Sequence, residues 1–180
     1  MASVYPSFQF RLICDDGTTF MFPHSASSSI EILTELIDDD VDLSTGHFDF
    51  HAIGIPSSHL PHLIEFVNNV SSYGTFIIRP PLNYSLATSG VPMWAIEWLS
   101  RFDISTLSYI LISSDTLRFN ILSDLIIAHI ALHIRSLDIK TMQHTFSKTP
   151  STTSHAFDYT LHSIMTSLPD HIFRRVVSFV

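Results

Sequence analysis

The stretch "SSDTLRFNILSDLIIAHIALHI", residues 113–134, decides how the rest of the chain is read. Ile121, Leu122, Leu125, Ile126, Ile130 and Ile134 recur at helical spacing, while Ile127, Ala128, Ala131 and Leu132 fill the opposite side. A helix that is apolar all round is covered all round, by protein or by lipid. This run falls short of the roughly 20 apolar residues a bilayer span needs, and it contains Asp124, His129 and His133. It therefore predicts a buried helix, with one face on the chain's own globular core. The other face is left for a partner or for the chain's own C-terminus.

Composition sets the class of protein around that helix. At 180 residues with 46% hydrophobic side chains, the chain is long enough for one globular domain with a helical appendage. A formal net charge of −8 with only nine Lys plus Arg leaves no basic stripe to release counterions from nucleic acid. Nucleic-acid and membrane partners are not expected. The single cysteine, Cys14, excludes an intrachain disulfide, and "MASVYPSFQF" lacks the charged and long apolar regions of a secretory signal. The expected location is the cytoplasm, the nucleus or both.

Before residue 92 the pattern alternates between strand and helix. "FQFRLIC" (8–14) and "TTFMF" (18–22), joined by Asp15-Asp16-Gly17, predict a hairpin. Apolar residues at 30, 32, 33, 36 and 37 predict a helix, "HFDFHAI" (47–53) a strand, and positions 60, 63, 64 and 67 a second helix. Residues 71–91 mix Ser, Gly, Pro and Asn without a period and read as a linker, with an edge strand possible in "GTFIIRPPL". From Pro92 the chain reads as nearly continuous helix over 92–101, 104–114, 118–135, 139–146, 154–166 and 169–179, with Asp103 or Ser105 as a cap for the second. The fold class is α+β, with a mixed domain over 1–135 and a helical extension over 136–180.

The back half also carries an ordered set of motifs. Pro92, Trp94, Glu97 and Leu99 fit a P-x-W-x-x-E-F-L-like segment, followed by Asp103, Thr106 and Leu107. "SSDTLRFNILSD" (113–124) aligns without a gap to an A-A-N-Y-L-D-I-x-x-L-L-D block, and Met142, Thr145 and Phe146 to an I-x-x-T-F ending. With "LICDDGTTFMF" in front, residues 8–146 resemble the Skp-type adaptors of SCF ubiquitin ligases, a BTB/POZ-fold family. The resemblance implies a binding protein without catalysis or cofactor, which bridges F-box proteins to a cullin by helix-in-groove recognition. It implies F-box contacts at Leu122, Leu125, Ile126, Ile130 and Ile134, and further along at Met142 and Phe146. It implies a cullin-facing surface at Leu63, Phe66, Asp115 and Thr116. The family's aromatic pair-member is replaced here by Thr116 next to Asp115, which removes a planar anchor and adds a charge. The alternative function is a pseudo-adaptor, or a structural BTB-type protein, that binds an F-box-like helix but no cullin.

The tail departs further from the family. "LPDHIFRRVVSFV" (168–180) looks like the first turns of an F-box but stands where such adaptors carry an acidic clasp. Ile172, Phe173, Val176, Val177 and Val180 form an apolar stripe opposite Arg174 and Arg175, expected either to grip an F-box helix or to fold back over the groove. No enzyme chemistry is evident. His129 and His133 stand four apart, as zinc ligands can, but no Glu follows the first and no further ligand is placed to complete a site, so packed histidines are expected and no metal. Cys14, in a predicted strand beside Asp15, has no group to lower its pKa and reads as packing.

Overall fold

The hairpin forms as expected, because its two runs alternate with a period of two around a turn that contains a glycine. In a computed structural model describing residues 9–23, 26, 28–38, 47–52, 54–79, 82, 85–136 and 163–179, β1 (Gln9–Cys14) pairs antiparallel with β2 (Thr19–Pro23). Phe10, Leu12, Cys14 and Phe22 are buried while Gln9 and Met21 are exposed, so one face of the ribbon is interior. Gly17 takes φ +79°, and its N–H donates to the Cys14 carbonyl at 2.9 Å. That conformation is cheap only for a residue without a Cβ.

The third strand, β3 (His47–Ala52), pairs parallel with β1, giving the order β2-β1-β3. A parallel neighbour requires a crossover, and α1 (Glu31–Asp38) lies in it. On the exposed side of the sheet Arg11 grips Asp49 with both guanidinium arms, its Nε donating at 2.7 Å. The helix α2 (Leu60–Tyr73) follows, burying Leu60, Leu63, Phe66, Val67 and Val70 at helical spacing.

Contacts divide the chain into two compact units, Met1–Thr75 with Ser113–Leu122, and Phe76–Ile112 with Ser123–Val180. The cut at 75/76 falls inside the stretch read as a linker. The first unit holds the sheet, α1, α2 and the turn between α4 (Ile104–Thr116) and α5 (Asn120–Arg135). That turn is a Schellman closure: Phe119 N–H donates to the Ser114 carbonyl at 2.8 Å and Arg118 N–H to the Asp115 carbonyl at 2.9 Å. Arg118 adopts φ +51°, the left-handed conformation the motif requires and glycine usually supplies. Here arginine is held by its surroundings. Its carbonyl accepts from Glu31 N–H at 3.3 Å, its Nη1 donates to Glu35 Oε1 at 2.5 Å, and Phe119 sits edge-on to Phe66 at 5.7 Å. A branched Cβ is most costly in this region, so Arg118→Val is expected to lower stability by about 1–2 kcal/mol. Urea midpoints with an unchanged m-value check this.

The second unit begins with the rest of the linker, which is anchored rather than loose. Ile78, Leu82, Leu86 and Val91 are buried one at a time, and Phe76 packs edge-on to Trp94 at 5.8 Å. The edge strand considered for this stretch does not form among its described residues, which carry only a 3-10 turn at Ala87–Ser89. Pro92 precedes α3 (Met93–Leu99) in extended conformation, where its missing N–H costs no helical bond. Asp103 caps α4, its Oδ1 accepting from Thr106 N–H at 2.7 Å; that bond holds its carboxyl below the usual carboxylate range. The predicted helix at 139–146 and the first part of the one at 154–166 lie outside the described residues. Residues 163–167 are helical, and α6 (Asp170–Phe179) ends the description.

Candidate interaction surface

The described residues singled out for partner binding sit on α5, on α2, at the end of α4 and on α6. On α5, Leu122, Leu125, Ile126, Ile130 and Ile134 have no exposed surface, and neither do Ile127, Ala128 and Ala131 on its other side. Most of the apolar helix is thus covered, while Ile121 and Leu132 keep partial exposure. Met142 and Phe146 lie outside the described residues. Leu63 and Phe66 of α2 point into the interior of the first unit with no exposed surface. A partner reaching α2 therefore meets its exposed Pro61, Asn68, Ser71 and Ser72. Asp115 is half-buried and Thr116 exposed at the C-terminal end of α4.

The last of these is α6, whose sequence is amphipathic because apolar residues recur four apart. Ile172 and Val176 are completely buried, Phe173 is half-buried and Val177 is 46% exposed. Asp170 lies in the first turn, where the helix dipole favours an acidic side chain. From the neighbouring turn Arg175 reaches α5, donating from Nη2 to Asp124 Oδ1 at 2.8 Å. Both side chains keep about a third of their surface in water, so the pair contributes about 0.2–1 kcal/mol at most. Burial of two aliphatic side chains, at about 1.5–3 kcal/mol each, outweighs it. The ion pair fixes register; Ile172 and Val176 supply the attachment. Ile164, Met165 and Leu168, just before α6, are buried as well.

Asp124 identifies the side of α5 involved. By helical spacing it shares a face with Ile127, Ala128 and Ala131, whose two alanines permit close approach of another backbone. Sequence reasoning selected the isoleucines and leucines of α5 and missed Asp124, because its partner lies 51 residues away. The only available signal was a lone carboxylate in an apolar run.

His59, His129 and His133 are partly buried. Among the described residues no group of three or more metal-ligating side chains is assembled. Burial, followed by repulsion from His133, lowers the His129 pKa, and burial lowers that of His133. Burial, then His62, likewise lowers His59, whose Nδ1 lies 2.9 Å from Ser113 Oγ. A histidine with a depressed folded pKa contributes stability that is complete above its unfolded value of about 6.5 and is lost as pH falls toward the folded value. Urea midpoints are therefore expected to fall between about pH 7.5 and 5.5, less steeply in His129→Gln; a flat profile contradicts this. Burial first, then Asp16 and Asp15, push the Cys14 thiol up, as befits an inert packing residue. An open concavity of about 250 Å³ lies beside it, lined by Asp15, Asp16, Gly54, Ile55, Pro56 and Ser57. Its carboxylates are engaged, Asp15 by Gly54 N–H at 2.9 Å and Asp16 by Ser57 Oγ at 2.6 Å.

The chain matches no protein-family model, and no characterised protein shows significant sequence similarity to it. Among the described residues no helix is long and apolar enough to cross a membrane. What these residues define is a mixed α+β chain with a three-stranded sheet followed by packed helices.

Proposed function

We propose that this chain is a divergent Skp-type adaptor of BTB/POZ fold, which binds F-box-type proteins and links them to a cullin in an SCF-like ubiquitin ligase. The observation that carries the reading is the succession of elements: hairpin, crossover helix, parallel third strand, helix, then α3 to α5 with most of α5 buried. That is the order the sequence resemblance implies, and the aligned block 113–124 falls on the closure between α4 and α5. The role is binding rather than catalysis, at work in the cytoplasm or nucleus. Asp115 and Thr116 favour a second reading, the pseudo-adaptor, because the exposed end of α4 offers a small polar side chain where an aromatic anchor would be a hot spot.

Purified full-length chain mixed with an F-box fragment and a cullin N-terminal domain separates the two. The adaptor predicts a ternary peak on size exclusion, the pseudo-adaptor a binary peak with the F-box fragment alone. Absence of both peaks rejects the shared reading.

A further inference from the structure

The C-terminal helix occupies a seat that has the properties of a protein-binding site. It meets α5 at Asp124, a carboxylate that by helical spacing shares a face with buried, small and apolar Ile127, Ala128 and Ala131. The seat's present occupant carries an I-x-x-R-V pattern, with Ile172 and Val176 buried one turn apart and Arg175 paired with Asp124 at 2.8 Å. At ten residues α6 is shorter than the dozen or so at which an isolated helix becomes even marginally stable in water. Its helicity therefore depends on the seat. The opposite side of α6 is exposed at Arg174, Val177 and Ser178.

We propose that α6 is a displaceable occupant of this seat, and that the seat accepts in its place an amphipathic helix of another protein with the same chemistry. That helix carries two aliphatic residues four positions apart and a basic residue just before the second. Charge favours such a ligand, since the chain carries a net −8 and the seat's own marginal charge is a carboxylate. Buried Ile164, Met165 and Leu168 keep the departing helix tethered nearby. A competitor must then overcome a high effective concentration of α6. The seat rests on the geometry of α5 and α6 alone; that its ligand is an F-box helix rests on the adaptor reading.

The test uses the full-length chain and a fluorescein-labelled peptide of residues 163–180, followed by anisotropy. Weak binding is expected to the natural chain and binding at least ten-fold tighter to the Ile172→Asp/Val176→Asp chain, whose own helix is released. Asp124→Arg in that background should weaken the peptide several-fold, and a peptide carrying Arg175→Asp should recover the loss. Equal binding to both chains, with α5 amides still protected, overturns the proposal. Should the double variant misfold, hydrogen exchange on the natural chain decides. Amides of 170–179 opening more readily than those of 120–135 support a displaceable helix, and opening only together with α5 overturns it. An unlabelled F-box fragment that fails to displace bound peptide rejects the F-box assignment and leaves the seat intact.

Discussion

Phe66→Ala is expected to destabilise the chain by about 3–5 kcal/mol, enough to remove much of the stability of a typical domain. Phe66 has no exposed surface and lies edge-on to Phe119 at 5.7 Å. Truncation therefore leaves a cavity against the residue that closes the turn between α4 and α5, and it removes an aromatic contact worth about 0.5–1.5 kcal/mol beyond its area. The loss should appear as a lower urea midpoint, whereas Phe66→Leu should retain most of the stability. A surface role for Phe66 predicts the reverse: near-native stability with loss of a partner.

Ile126→Asp should have a still larger effect. Its side chain is fully buried in the middle of α5, and a carboxyl group there has no solvent. Burying an unsatisfied ionisable group belongs to the few mechanisms that exceed about 4–5 kcal/mol. Loss of the near-ultraviolet dichroism of Trp94 and Trp98, which lie in the same unit, would report it. Ile126→Leu keeps volume and should cost less than about 1.5 kcal/mol. The contrast bears on function, because a residue whose polar replacement unfolds the chain cannot be assigned to a partner by loss of binding alone. Substitutions that keep α5 packed, such as those at Asp124 and Arg175, are the ones able to separate recognition from folding.

The legible parts of this fold are those where a local rule decides. Alternation around Asp15-Asp16-Gly17 predicted the hairpin, and periodicity placed α1, α2, α4 and α5 within a few residues of their ends. Of the two caps the sequence offered for α4, Asp103 or Ser105, it is Asp103 that accepts from Thr106 N–H. Position 118 was opaque because the closure's left-handed residue is arginine, so the usual glycine signal is absent. The stretch 71–91 hid its anchors because Ile78, Leu82 and Leu86, though four apart, are separated by Pro80 and Pro81, which argue against a helix, and Val91 falls out of step with them. Strand potential in "TFIIR" did not prevail, since a strand forms only with a partner edge, which propensity does not supply.

At the candidate surface, the apolar character of α5 matches the burial of most of its residues, while Ile121 and Leu132 stay partly exposed. What periodicity could not provide was the side on which the tail would lie. That depends on one pairing across 51 residues, Arg175 with Asp124, and long-range charge pairs leave no mark on local pattern. The opening motif of the tail gained meaning the same way. Its Ile172 and Val176 are committed to the chain's own interior, so in the free protein the stripe is a buried face.

The central claim is that α5 and its C-terminal cover form a helix-binding adaptor surface. Hydrogen exchange of the full-length chain, with and without a saturating F-box fragment, tests it most directly. The account predicts increased protection along 120–135 and, in the same sample, loss of protection over 170–179 as α6 yields its seat. Unchanged exchange in both segments at saturating fragment would contradict it.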